Sequence, residues 1–266
     1  MKTDTILDKI LANTAKEVAQ RQADRALHIV REQAEKQPAP LDFVAALQRD
    51  RVALIAEVKH ASPSRGVLID PFNPLELADL YHANGAAAIS VLTDQQFFRG
   101  SLDILHAIHS KVASPLLCKD FILTPYQIYE ARAAGADALL LIVAALPQAT
   151  LETLHALARC LGMAALVEVH NEAERDRALA LSPALLGINN RDLKTFDVDL
   201  DTVGRLANSI PEVVTLVAES GLKTPQDVKR MAQQGADAVL IGEGLVTAGA
   251  PARIAEQVRV FSAVKV

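Results

Sequence analysis

Short apolar runs alternate with helix-like segments along most of the chain. The runs are continuous, which is typical of parallel strands that are buried on both faces. They predict strands at Val52–Lys59, Ala86–Leu92, Pro115–Asp120, Ala138–Val143, Ala164–Val169, Leu185–Asn189, Val214–Glu219 and Ala238–Gly242. The segments that follow the strands predict helices at Pro74–Ala83, Leu102–Ser110, Pro125–Ala134, Gln148–Cys160, Glu172–Leu181, Leu200–Asn208, Pro225–Gln234 and Pro251–Phe261.

Three of these units resemble one another at residues 84–89, 134–139 and 234–239. In each, a helical pattern ends at a glycine, which favours a helix C-terminus, and an apolar strand follows. Gly85, Gly135 and Gly235 lie 50 and 100 residues apart, and a βα unit takes roughly 25 residues. The pattern predicts a closed (β/α)8 barrel, or TIM barrel. An open doubly wound α/β sheet shares the alternation, but the chain has no G-x-G-x-x-G fingerprint, which favours the barrel.

Residues 1–51 precede the first predicted strand and form a helical extension. An apolar stripe at helical spacing is formed by Ile6, Leu7, Ile10, Leu11, Thr14 and Val18. The sequence Gln-Pro-Ala-Pro at residues 37–40 breaks this pattern, and residues 41–48 predict a second short helix. The extension either packs on the barrel as a cover or closes over a substrate. We predict one barrel domain over residues 1–266 that includes this extension.

Composition limits the possible functions. The 266 residues are 50% hydrophobic, which fits one large domain or two small ones. A net charge of −5 argues against nucleic acid as a partner but allows small anionic ligands. We expect no signal peptide and no membrane segment, because no apolar run approaches the ~18 residues of a membrane span. Cys118 and Cys160 are too few for a disulfide scaffold, which indicates a reducing cytoplasm.

Charged side chains stand where the predicted strands end. Glu57 and Lys59 are two positions apart, so they share one face of the first strand. A charged pair at the end of a buried strand costs desolvation energy and is seldom there for packing alone. Other strand ends carry Lys119, Glu168, Asn189, Arg191 and Glu219. Since the active sites of such barrels lie at the carboxyl ends of the strands, we predict that these side chains converge on one mouth.

The last two predicted strands end in small residues that suit an anion. Ser220 and Gly221 follow one strand, and Gly242, Glu243 and Gly244 follow the other. Small residues let backbone N–H groups approach a phosphate. We expect the backbone of Glu243 to contribute while its carboxylate turns away.

Several other features have ordinary interpretations. His106 and His109 have metal-ligand spacing on a helix, but no carboxylate or cysteine motif accompanies them, so a solvated face is favoured and we expect no metal. His60 and His170 stand near the predicted mouth, and whether each has a role there or is only a polar loop residue stays open. Cys118 precedes Lys119, and strand alternation turns its thiol away from the mouth. We see no sign of a redox or pyridoxal cofactor.

The ordered motifs resemble those of the indole-3-glycerol phosphate synthase family. They are Ile55–Lys59 with Ser62-Pro63-Ser64, Leu117–Phe121, Leu166–His170, Gly187–Leu193 and Ala218–Gly221. Together with the extension they cover essentially the whole chain. They distinguish it from phosphoribosylanthranilate isomerase, a related barrel without this lysine and glutamate set, and no second barrel follows, so the monofunctional form is implied. Glu243 departs from the pattern, since some members carry a hydroxyl residue there.

The resemblance implies a carboxy-lyase of tryptophan biosynthesis. Its substrate is 1-(2-carboxyphenylamino)-1-deoxyribulose 5-phosphate, and its products are indole-3-glycerol phosphate, CO₂ and water. Lys119 matches the general acid, a role that suits it if burial or neighbouring cations lower its pKa. Glu168 matches the carboxylate that stabilises a cationic intermediate.

The remaining matches concern dehydration and binding. Glu57 and Lys59 match residues that serve the dehydration, and which of them moves the proton stays open. Asn189 is expected to orient a substrate hydroxyl, and Glu219 to hold the lysines. Arg191 either contacts the substrate or braces its loop. The expected substrate- and phosphate-binding residues are Ser62, Phe121, Arg191, Ser220, Gly221, Gly242 and Glu243. We expect a cytoplasmic monomer, or at most a weak dimer.

Two rival hypotheses remain. One is another phosphate-handling barrel enzyme, such as an isomerase or an aldolase that forms a Schiff base at Lys119, which borohydride would trap. The other is a non-catalytic barrel that binds a phosphorylated ligand. The presence of Glu57, Lys59, Lys119 and Glu168 together argues against it, because binding alone does not require them all.

Overall fold

A computed structural model of the chain describes residues 5–193 and 195–265. Eight parallel strands form a closed barrel in chain order, and the first strand also pairs with the last. They are β1 (Ala53–Val58), β2 (Ala88–Leu92), β3 (Leu116–Lys119), β4 (Ala138–Ile142), β5 (Ala164–Val169), β6 (Leu185–Asn189), β7 (Thr215–Glu219) and β8 (Ala238–Ile241). The predicted (β/α)8 barrel is confirmed, and an open sheet is excluded because β1 pairs on both sides.

Helices follow the strands and cover the barrel. The helices are α1 (Ile6–Asp24), α2 (Leu27–Glu35), α3 (Phe43–Leu47), α4 (Pro74–Ala83), α5 (Leu102–His109), α6 (Pro125–Ala133), α7 (Gln148–Cys160), α8 (Glu172–Leu179), α9 (Thr202–Ala207), α10 (Pro225–Gln233), α11 (Glu243–Val246) and α12 (Pro251–Ser262). Several begin with proline, whose fixed φ and missing N–H suit the first turn. The eight predicted barrel helices are confirmed close to their predicted bounds, and α11 is an addition.

Alternate side chains of each strand point into the barrel. Ala53 and Ile55 of β1 pack inside, whereas Leu54 and Ala56 belong to the layer between strands and helices. Because the side-chain period of a strand is two, Glu57 lies on the inner side with Ala53 and Ile55. The interior is therefore apolar where the strands begin and charged where they end.

The short helix α3 closes the amino end of the barrel. Phe43 and Leu47 are about 1% exposed and belong to the same apolar cluster as Ala53 and Ala238, which begin β1 and β8. The predicted second helix of the extension therefore acts as a plug for the barrel interior. It excludes water from the end of the barrel opposite the charged strand ends.

The helices α1 and α2 pack on the outside of the barrel against α6. Val18, Val30 and Tyr126 form an apolar cluster between them. The helical pattern breaks near Arg25, earlier than the predicted break at residues 37–40, because Arg25 has an extended backbone. The hydroxyl of Tyr126 lies 3.0 Å from the carbonyl oxygen of Arg21 and 2.9 Å from that of Arg25. The carbonyl of Arg21 also accepts the backbone N–H of Arg25 at 2.9 Å, so the Tyr126 hydroxyl adds a contact from α6 to the last turn of α1 and to the carbonyl just beyond it.

The structure favours packing over closure as the role of the extension. None of its described residues lines the pocket at the carboxyl ends of the strands, and residues 1–4 lie outside the described part of the chain. Within residues 5–193 and 195–265, no helix has the length and apolar character needed to cross a membrane.

We predict that Tyr126→Phe lowers the free energy of unfolding by about 1 kcal/mol, the usual net contribution of one hydrogen bond. The ring keeps its packing against Val18 and Val30, so only the hydroxyl contacts with α1 are lost. Denaturant unfolding measures the change. Tyr129→Phe on the same helix is the control, and an equal loss in both variants would contradict the role of the Tyr126 hydroxyl.

Candidate active site

Lys119 lies at the centre of the charged end of the barrel. Its Nζ atom is 3.6 Å from Oε2 of Glu219 and 3.8 Å from Oε2 of Glu168. Burial by itself would lower the pKa of Lys119, but the surrounding carboxylates, with Glu219 the strongest, raise it above its usual value. The condition of a lowered pKa is therefore not met in this structure, because the negative charges of Glu219, Glu168 and Glu57 outweigh burial at this ammonium.

The two carboxylates that hold Lys119 have different environments. Burial favours the protonated form of Glu168, but Lys119 and His170 lower its pKa below the usual value. Burial and the negative charge of Glu168 raise the pKa of Glu219, although Lys119 opposes them. Two carboxylates that share one ammonium thus differ in their affinity for protons, which suits a site that moves protons.

Glu57 and Lys59 form a second charged pair. Lys59 Nζ lies 3.4 Å from Glu57 Oε1 and 5.4 Å from the centroid of the Phe98 ring. Glu57 is 4% exposed, so the pair lies at the boundary between the buried strand and the open pocket. The pairing that strand alternation predicted is observed.

Two glycines provide space for buried carboxylates. A Cβ atom on Gly187 would lie 2.2 Å from Oε1 of Glu219, and one on Gly242 would lie 2.3 Å from Oε1 of Glu57. Neither distance is possible without movement of the carboxylate. The sequence pattern did not indicate Gly187 as a site residue in its own right. Gly242, which we predicted at the phosphate, also sets the position of Glu57.

Asn189 and Arg191 organise the loop after β6. The side-chain oxygen of Asn189 accepts the backbone N–H of Arg191 at 3.0 Å. The guanidinium of Arg191 donates to the carbonyl oxygen of Phe196 at 3.3 Å, and the side chain also lines the pocket. Arg191 therefore braces its loop in this structure, and its place in the pocket leaves contact with a ligand available.

A rim of small and cationic residues lies on the side of β7 and β8. Ser220 and Gly221 have φ values of 69° and 81°, so the chain turns sharply at the end of β7. The carboxylate of Glu243 pairs with Arg65, which belongs to the loop after β1. The backbone of Glu243 begins α11. Lys223 also lines the pocket and was not predicted from the sequence, although it stands two residues after Gly221 in the same loop.

Ser62 and an apolar wall complete the pocket. The Ser62 hydroxyl is buried and has no hydrogen-bond partner within the described residues. Phe98 and Phe121 approach each other with ring centroids 6.2 Å apart, and Ile142 and Leu193 also line the pocket. Phe98 was missed because it lies in a loop without periodic pattern. An aromatic wall beside charged groups suits a ligand with a flat ring and anionic substituents.

The structure brings the predicted site residues to one mouth, except that Gly242 does not line the pocket. The pocket is lined by Glu57, Lys59, Ser62, Lys119, Phe121, Glu168, Asn189, Arg191, Glu219, Ser220, Gly221 and Glu243. Cys118, by contrast, packs in the layer between strands and helices, as alternation predicted. The environments of His60 and His170 differ. His60 stacks on Phe72, and His170 contacts Glu168.

The chain is similar in sequence to proteins of one known family. The sequence model of the indole-3-glycerol phosphate synthase family matches residues 7–258. The enzyme of that name from Mycolicibacterium vanbaalenii is 53% identical over 251 residues, which cover 94% of this chain and 92% of that protein. The one from Chloroherpeton thalassium is 51% identical over 247 residues, or 91% and 95% of the two chains.

Solved structures support the fold alone. Thiamine phosphate pyrophosphorylase from Pyrococcus furiosus superposes with a TM-score of 0.59 at 15% identity, over 80% of this chain and 94% of that one. A mandelate oxidase variant superposes with a TM-score of 0.63 at 14% identity, over 89% and 83% of the two chains.

We predict that Gly187→Ala lowers the pKa of Lys119, because the new methyl group pushes the Glu219 carboxylate away from the ammonium. NMR titration of the chain with isotopically labelled lysine measures the shift. Glu219→Gln should give a change of the same sign without a steric clash. Gly204→Ala is the control, since its Cβ would meet only the flexible end of Gln234. An unchanged Lys119 pKa in Gly187→Ala would refute the steric role.

Proposed function

The chain belongs to the indole-3-glycerol phosphate synthase family, and we propose that its strand-end residues close the indole ring of 1-(2-carboxyphenylamino)-1-deoxyribulose 5-phosphate. The observation that carries the assignment of roles is the Lys119 ammonium between two buried carboxylates in an aromatic pocket. In the reaction, the ring carbon that bears the carboxylate attacks the ribulose carbonyl. CO₂ then leaves, and water is lost to form indole-3-glycerol phosphate.

Lys119 donates the proton to the carbonyl oxygen as the new carbon–carbon bond forms. Its raised pKa keeps the amine protonated at neutral pH, so the acid is present when the substrate binds. The oxygen becomes an alkoxide as the ring closes, and an alkoxide is a stronger base than an amine. Proton transfer is therefore favourable at the moment when the charge develops, even from a weakly acidic ammonium.

Glu168 stabilises the positive charge that ring closure leaves on the aromatic system. A carboxylate does this best if it is ionised and directed at the charge before the reaction begins. Glu168 is 1% exposed, so water screens its field little. Loss of CO₂ then restores the neutral aromatic ring, and the stabilisation is no longer needed.

Glu57 and Lys59 act in the dehydration. The hydroxyl that forms from the ribulose carbonyl leaves as water when it takes up one further proton. One proton also leaves the methylene carbon beside the ring nitrogen, so that the carbon–carbon double bond of the indole forms and the N–H is kept. A carboxylate 3.4 Å from an ammonium provides a base and an acid side by side. We assign proton removal to Glu57, because its carboxylate lies on the inner side of the barrel, and binding of the substrate carboxylate to Lys59.

The substrate phosphate occupies the rim formed by Ser62, Ser220, Gly221, Gly242 and Glu243. Backbone N–H groups of the small residues suit an anion, and Lys223 adds positive charge nearby. The ion pair with Arg65 neutralises the Glu243 carboxylate, so this carboxylate does not repel the phosphate. Phe98 and Phe121 hold the flat anthranilate ring.

We assign the enzyme to the cytoplasm, where a biosynthetic enzyme with two unpaired cysteines is stable. The residues to which we assign the reaction all belong to this chain, and we propose that it acts as a monomer or at most a weak dimer.

We predict that the protein produces indole fluorescence from the carboxyphenylamino substrate and that Lys119→Ala abolishes this turnover. Loss of a general acid costs about 10²–10⁴-fold in rate, and a strand-end lysine contributes mainly to chemistry. Lys111→Ala is the control, because Lys111 is an exposed lysine paired with Asp79. Near wild-type kcat in Lys119→Ala would show that the role belongs to another residue.

We predict that Glu57→Gln slows dehydration more than ring closure, because the amide keeps the shape of the side chain but cannot take a proton. Rapid-quench experiments should then detect a cyclised, decarboxylated intermediate that retains its hydroxyl group. Glu152→Gln on the exposed face of α7 is the control. Equal slowing of the two steps would assign Glu57 to substrate positioning instead.

A further inference from the structure

His170 lies between two carboxylates behind the pocket. Its Nε2 atom is 3.4 Å from Oε1 of Glu168, and its Nδ1 atom is 2.9 Å from Oε2 of Glu174. A neutral imidazole carries a single N–H and cannot donate from both nitrogens. The Nδ1 contact is a hydrogen bond, whereas neither Nε2 of His170 nor Oε1 of Glu168 has a hydrogen-bond partner among the described residues. The Nε2 contact is therefore electrostatic, and a carboxylate near each nitrogen favours the imidazolium.

The end of a helix fixes the ring in this position. Glu174 lies in the first turn of α8, and the same Oε2 atom also accepts the backbone N–H of His170 at 2.9 Å. Its other oxygen accepts from the side chain of Asn171 at 2.8 Å, while Asn171 caps the backbone N–H of Glu174 at 3.0 Å. The imidazole is thus held by a structured helix cap.

Glu168 has one cation for each of its oxygens. Oε2 faces Lys119 at 3.8 Å, and Oε1 faces His170. Lys119 lines the pocket, but His170 does not. His170 therefore contacts Glu168 from the side away from the substrate, so it acts through Glu168 and does not touch the reacting atoms.

We propose that His170, held by Glu174, is a positioning residue that keeps Glu168 ionised while Lys119 gives up its proton. The proposal rests on the function proposed above. When Lys119 becomes neutral, Glu168 loses that cation at the moment when the positive charge on the substrate ring must be stabilised. The imidazolium remains, so the proton of Lys119 goes to the substrate oxygen and Glu168 stays an anion.

The charges around the pair set the expected pH dependence. Glu168 faces Lys119 from β3, Glu219 from β7 and His170, and His170 faces Glu168 and Glu174 from α8. Burial opposes the imidazolium, but the two carboxylates raise the pKa of His170 to about 10. Since His170 helps to lower the pKa of Glu168, its loss should raise that pKa towards neutrality. The acidic limb of the kcat profile should then move to higher pH.

The test compares His170→Gln and Glu174→Gln with His82→Gln, a control whose histidine bonds to Ser114 away from the pocket. We expect kcat of His170→Gln to fall about tenfold or more at neutral pH with little change in KM. Its acidic limb should rise by about one pH unit or more, because a nearby opposite charge lowers a carboxyl pKa by ~1–3. Glu174→Gln should shift the limb in the same direction by less, and His82→Gln should shift nothing.

An unmoved acidic limb in His170→Gln would overturn the proposal, whether or not kcat falls. A second measurement does not depend on activity. Histidine NMR of the whole chain should show His170 protonated throughout neutral pH, and Glu168→Gln should lower its pKa. Titration of His170 near the ordinary value in the wild type would also overturn the proposal. If the wild type forms no indole product while the NMR result holds, the proposed function fails and the charge pairing stands.

Discussion

The mouth of this barrel depends on the way Lys119 is shared between two buried carboxylates. Removal of one member of a buried ion pair typically costs about 3–5 kcal/mol, because the other charge is left uncompensated. Glu168 and Glu219 are each about 1% exposed, so water cannot replace the ammonium. The arrangement is acceptable only because each of the three charged groups has a partner. The same pairing makes the three groups respond to one another when a proton moves.

The second condition is space for these carboxylates. Gly187 and Gly242 belong to inward-facing positions where any larger residue would collide with Glu219 or Glu57. A glycine in a strand normally weakens it. Gly187 stands in the middle of β6 and Gly242 directly after β8, and their presence indicates close approach of another group. Sequence reasoning assigned Gly242 to the phosphate alone. In the folded chain, the charged centre and the anion rim share this residue.

The barrel also separates an inert end from a reactive end. Phe43 and Leu47 fill the interior where the strands begin, and the outer helices α1 and α2 pack on α6 through Val18, Val30 and Tyr126. The extension thus strengthens one end and one side of the barrel and leaves the mouth open. Such a division lets the apolar half provide stability while the buried charges, which contribute little to it, remain available for chemistry.

The sequence by itself determined the fold and the members of the site. Continuous apolar runs, glycines at helix ends and the two-residue period of strands are local signals, so the eight units and the inward direction of Glu57 and Lys59 could be predicted. The family motifs added roles for Lys119 and Glu168. These predictions required only that strand ends of a closed barrel meet, which follows from the topology.

Only the tertiary structure decided the electrostatics and the exact partners. The pKa of Lys119 rises because carboxylates from other strands surround it, and their distances across the barrel are not written in any local pattern. The sequence around His170 is compatible with an ordinary polar loop residue. In the folded chain, Glu174 of α8 and Glu168 of β5 contact its ring from two sides. The carbonyl at the break near Arg25 likewise contacts a hydroxyl of α6, which the local sequence does not indicate. The pKa values, the burial and the hydrogen bonds of these side chains depend on contacts between different strands and helices. Those contacts form only when the barrel has closed.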